Sequence, residues 1–235
     1  MWLSNLLRFL NNLEQYSGED KFTQFSTQKQ AEQCLRNFDL SEYRRVINDV
    51  AIWVYGGVTK LIEEEVQPLL VAAIIDHEGI GLNGPEEKPA RPAINTSSGT
   101  EGGYVDPSEA PNKLLHLLNR FNSIFQKHGL DPQLIAKIFR ETFYFICAGS
   151  LNNILLRKDM CHWSKGMQIR YNVAQVEQWA RDAKVHDNDR QLTSIDTLEP
   201  IIQAAALLQV SPSFSYINVH VLQHDFVVAG TKDGG

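Results

Sequence analysis

A chain of 235 residues, 43% apolar and 21% charged, has the makeup of an ordinary soluble globular protein of one large or two small domains. It can bury roughly 70% of its unfolded surface, so a core needs no disulfide or metal staple. Net charge −6 and a pI near 5.6 exclude a general nucleic-acid binder, and the odd set Cys34, Cys147 and Cys161 fits a reducing, cytosolic setting.

The opening MWLSNLLRFLNNLEQY is not a signal peptide, since it lacks a basic leader and Asn5, Arg8, Asn11 and Asn12 break its apolar run. Leu3, Leu6, Leu7, Leu10 and Leu13 recur at helical spacing, which predicts one amphipathic helix ending at Ser17-Gly18. Asp39 followed by Glu42 reads as a capping box that opens a long helix. Val46, Ile47, Val50, Val54, Val58, Leu61 and Ile62 keep its period past Gly56-Gly57. Pro68 is expected to kink or end this helix, with LLVAAII continuing as another helical piece. Gly, Pro, Ser, Thr and Glu then dominate, giving one long mobile loop over about 78–111.

Helix resumes near Lys113, with Leu114, Leu117, Leu118, Phe121, Ile124 and Phe125 on one side, and stops at Gly129. Asp131-Pro132 supplies the next N-cap and first-turn proline. LIAKIFRETFYFICAGSLNNILL is apolar on most sides and should be the central buried helix. Asn172 is expected to cap a short helix through Val176 and Trp179, and a last helix carries Leu198, Ile201, Ile202, Ala205 and Leu208. The segment 211–235 alternates like strand and reads as a separate tail, disordered or weakly docked. No run is long and apolar enough to span a bilayer. The predicted fold is therefore all-α: a helical bundle of long antiparallel amphipathic helices with one long loop and a foreign C-terminal tail.

Residues 79–84, GIGLNG, spell the dinucleotide-binding pattern, but a helix precedes them and PEEKPARP follows. The pattern needs a strand before and a helix N-terminus after, so the nucleotide reading fails. His220, His224 and Asp225 lie in strand-like text, and Cys161-His162 is an isolated pair, so neither predicts a metal site. Glu63-Glu64-Glu65 reads as a solvated helix face. No nucleophile signature is present, and neither a catalytic residue nor a cofactor is expected. LLRKDMCHWSKGMQIRYN, residues 155–172, stands out because a net-acidic chain gathers Arg157, Lys158, Lys165 and Arg170 there among Trp163, Met167 and Tyr171. Bases at a helix C-terminus account for Arg157 and Lys158 alone. Interleaved aromatics and arginines are what docking surfaces use, although Trp163 by itself reads as core filler.

LNNILLRKDMCHWSKGMQIRYNVAQVEQW followed by TLEPIIQAAALLQV resembles the dilute domain of the class V myosin globular tail. YSGEDKF, QCLRNFDLSEYRRVINDVAIWVY and HGLDPQLIAKIF match the same tail in the same order, and the resemblance covers about Trp2 to Val210. It implies an all-helical, non-enzymatic cargo-binding domain of an actin-based motor, cytoplasmic and recruited to vesicles by Rab GTPases and adaptor proteins. Actin would be met only through a motor lying outside this chain. By the same resemblance, Tyr171 and Gln209 match Rab-contacting positions, and Lys158 matches one of two lysines implicated in inhibiting the motor head. Arg157, Trp163, Lys165 and Arg170 would support that docking face. The domains expected are 1–210, a partial tail, and 211–235, a divergent segment that departs from the family pattern and lacks the second lysine. The loop around Thr96, Ser97 and Ser98 lacks the bases that precede a phosphorylated serine in that family. The alternative is a motor-free adhesion scaffold of the afadin type, which carries a more distant dilute domain.

Overall fold

The computed structural model describes residues 1–17, 27–29, 39–79, 105–157, 162–183 and 194–210. Among them every regular element is helical: α1 (Trp2–Tyr16), α2 (Ser41–Leu70), α3 (Ala110–Lys127), α4 (Pro132–Leu156), α5 (Trp163–Asp182) and α6 (Glu199–Gln209). A π turn, Val71–Asp76, extends α2, and a 3-10 turn, Ser194–Leu198, leads into α6. The all-α expectation holds. Most of the expected loop, the strand-like tail and the His220–Asp225 pair lie outside the described residues.

α1 forms as its leucines dictate, with Leu3 buried and Leu6, Leu7, Leu10 and Leu13 half-buried. It packs on α2. The capping box does not form: Asp39 accepts from the Ser41 N–H at 2.9 Å one residue before the N-cap, Leu40, and Glu42 pairs with Arg45 at 2.7 Å. Pro68 neither kinks off nor ends α2, which runs on to Leu70. Proline removes the N–H that would bond the Glu64 carbonyl, but Pro68 and Glu64 are both exposed, where solvent can replace that donor. The register changes just beyond it, and the expected further helical piece is the π turn.

α3 begins at Ala110, before Lys113, and Ile124 is exposed while Leu114, Leu117, Leu118, Phe121 and Phe125 are buried. Its end is set by Gly129, whose φ of 60° lies in the left-handed region that glycine enters without steric cost. Asp131 caps α4 by accepting from the Gln133 N–H at 2.9 Å, as its sequence predicts. α4 is the central element, packed by α2, α6 and both short turns. Phe125, Phe139 and Phe143 from α3 and α4 meet Trp179 of α5, whose ring centroid is 5.1 Å from that of Phe139. The Trp179 indole N–H donates to Asn119 at 2.8 Å, so the ring is buried with its polar atom satisfied.

Candidate docking surface

α5 begins at Trp163 rather than at Asn172. His162 is its N-cap: Nδ1 accepts from the Lys165 N–H at 3.2 Å and lies 2.8 Å from the Ser164 hydroxyl. A neutral imidazole nitrogen is an adequate acceptor for an orphan helix N–H. Asn172 is buried in the middle of the helix, and its amide donates to the carbonyls of Ile74 at 3.0 Å and His77 at 2.9 Å. It therefore stitches α5 to the π turn instead of capping a helix. This role has no local sequence signal, because both partners lie some ninety-five residues away.

Starting the helix at 163 decides which side chains share a face. Trp163, Met167, Arg170, Tyr171, Ala174, Gln178 and Arg181 fall on one stripe at spacings of three and four, while Ile169, Val173, Val176 and Ala180 point to the core. Trp163 is 50% exposed, so it is not core filler, and Tyr171 is 41% exposed. Arg170 and Arg181 both approach Glu177, at 3.3 and 3.8 Å, and hold the stripe's bases in place. Lys165 departs from the expectation: two residues on from Trp163 it turns to the other side and is only 7% exposed. It cannot serve as an exposed docking base.

Arg157 sits at the C-cap of α4 and reaches Asp76 at 3.5 Å, tying the helix end to the π turn. Lys158 and Cys161 lie outside the described residues. Gln209 ends α6 with its amide donating to the Ala205 carbonyl at 3.1 Å, and its stem lies against Gly166 of α5. Gly166 is required for that close approach, since a Cβ there would sit 2.6 Å from the Ala205 carbonyl oxygen. Tyr171 packs elsewhere, against Gly79. Gln209 and Tyr171 are thus held by different neighbours, both through α5.

Other features point to no chemistry. Glu65 accepts from Arg120 across α2 and α3, so the glutamate run is more than a solvated face. Burial pushes the Cys147 thiol up, which keeps it protonated. No described helix is long and apolar enough to cross a membrane.

The DIL domain family matches residues 137–226, beginning within α4 and running past the described residues. Unconventional myosin-Va of Homo sapiens is 48% identical over 211 residues, 89% of this chain and 11% of that protein. Unconventional myosin-Vb of Homo sapiens is 44% identical, and unconventional myosin-Vc of Homo sapiens 39%, each over 89% of this chain and 11% and 12% of the relative. The chain therefore spans only about a ninth of the length of these curated relatives. Among solved structures, Myo2-GTD in complex with Mmr1 superposes with a TM-score of 0.60 at 16% identity, over 89% of this chain and 47% of that one. Myo2-GTD in complex with Inp2 gives 0.59 at 17% identity, over 89% and 46%. At these identities the structural likeness shows the fold.

Proposed function

The chain corresponds to part of a class V myosin globular tail, DIL domain included, and we propose that it works as that tail's cargo-docking module. It takes up Rab GTPases and adaptor proteins on vesicles in the cytoplasm and links them to an actin motor encoded outside this chain. The observation that carries this reading is the exposed aromatic and basic stripe of α5, with Tyr171 at its centre and Trp163, Arg170 and Arg181 around it. Large aromatic and guanidinium groups offered on a rigid helix give contact area at small ordering cost, as interface anchors require. Solved Myo2-GTD structures hold the partner proteins Mmr1, Smy1 and Inp2, which is support for adaptor docking by this fold.

Calorimetric titration with a panel of Rab GTPases, each loaded with a GTP or GDP analogue, tests the reading. One Rab should bind in its GTP form only, and Tyr171→Ala should weaken it by about 2 kcal/mol or more. Lys158→Ala should cost on the order of 1 kcal/mol or less, as for an exposed charge. Unchanged binding by Tyr171→Ala would remove Tyr171 from the site. Contact of Lys158 with a motor head remains part of the same proposal, read out by inhibition of a motor ATPase added in trans.

A further inference from the structure

The chain leaving the π turn is fastened at several points. Asn172 donates to the carbonyls of Ile74 and His77, and the His77 ring donates from Nδ1 to the Pro107 carbonyl at 2.8 Å. His77 itself is extended, with φ −65° and ψ 126°, so the backbone turns out of the helix there and is pinned on both sides of the turn. Two residues later Gly79 meets the edge of the Tyr171 ring. A Cβ on Gly79 would lie 2.6 Å from Tyr171 Cε1, 3.1 Å from Tyr171 Cδ1 and 2.9 Å from His77 Nε2. Real side chains do not tolerate the first and last of these distances, so only glycine leaves room for the ring where it sits.

Tyr171 and Asn172 are neighbours on α5, one turned outward and one inward. The inward amide holds the segment whose glycine contacts the outward ring. A half-exposed tyrosine is otherwise free to leave its rotamer, and fixing it on docking costs about 0.5–1.5 kcal/mol of ordering. A backbone wall against one edge meets part of that cost beforehand.

We propose that Gly79 is a positioning residue for Tyr171, and that the root His77–Gly79, fastened by Asn172 and Pro107, sets the rotamer in which Tyr171 is offered to a partner. The consequence for affinity rests on the docking function proposed above; the seating of the ring does not.

Fluorine NMR of the whole chain labelled with 3-fluorotyrosine reads the seating directly, and Tyr171→Phe assigns one of the seven tyrosine lines. Gly79→Ala should move the Tyr171 line while the Tyr43 and Tyr144 lines stay in place. His77→Ala, which loosens the root without adding an atom, should move or broaden that line as well. A Tyr171 line unmoved in both variants overturns the proposal. Against the GTP-loaded Rab that the panel identifies, Gly79→Ala should weaken binding at least fivefold and add nothing to Tyr171→Ala. Full affinity in Gly79→Ala overturns the link from seating to docking. A wild-type chain silent to every Rab overturns the docking reading instead, while the fluorine lines still decide the seating.

Discussion

The first half of α2 and the whole of α4 are both rich in apolar residues, yet they meet opposite environments. α4 buries Ile135, Ile138, Phe139, Phe143, Ile146, Leu151 and Ile154, and helices or turns pack it on several sides. Over residues 41–57 of α2 only Ala51 is buried, while Tyr43, Val46, Val50, Ile52 and Trp53 stand exposed. Trp53 is 79% exposed, more than either aromatic of the proposed docking stripe. Apolar content brings a helix inward only when enough neighbours exist to surround it. α1 covers one flank of this half of α2 and leaves an open groove of about 640 Å³ lined by Phe9, Leu13, Leu40, Tyr43, Val46 and Ile47.

Substitutions on either side of this contrast can break it or make it sharper. The largest effect belongs to Phe139→Ala, which empties a fully buried site beside Phe125, Phe143 and Trp179. It should cost about 3–5 kcal/mol, read from urea or thermal unfolding. Gly166→Ala comes next, because the new Cβ would drive α6 off α5 at the Ala205 carbonyl. About 1–3 kcal/mol is expected, and a smaller loss would mean that the α5–α6 packing is softer than the α4 core. Asp131→Ala removes the cap of α4 and should cost about 1 kcal/mol by the same measurement. Trp53→Ser lies at the other extreme and should change stability by no more than about 0.5 kcal/mol. A large loss from Trp53→Ser would show that the exposed half of α2 is covered in solution.

What could be read from the sequence follows the same division. α4 was legible because its apolar residues run nearly all round and Asp131-Pro132 and Gly129 mark its approach, each with a local backbone cause. The first half of α2 was legible as helix but not in its burial, since periodicity identifies a face without naming what covers it. Pro68 misled because a proline tolerated at an exposed turn looks the same in sequence as one that stops a helix.

The docking stripe was legible in its residue types and misplaced in its geometry. Asn favours caps because its side chain competes for nearby backbone groups, so Asn172 drew the helix start nine residues too late. The actual cap, His162, is an uncommon one, and without it the opposite facing of Trp163 and Lys165 could not be seen. Bonds from Asn172 to Ile74 and His77, and the approach of Gly79 to Tyr171, join residues far apart in the chain. Short-range pattern holds no record of them.

The π turn at Val71–Asp76 has a consequence for how this chain tolerates change in length. A π turn is a helix carrying one surplus residue, held as a bulge instead of being looped out. Deleting any one residue between 71 and 76 would let α-helical bonding close, and everything beyond would rotate by about 100° and shift by about 1.5 Å. His77 would then swing away from both Pro107 and the Asn172 amide. In chains of this fold, a one-residue gap at this point would therefore move the segment beside Tyr171, while a one-residue gap in an exposed connection would be absorbed locally.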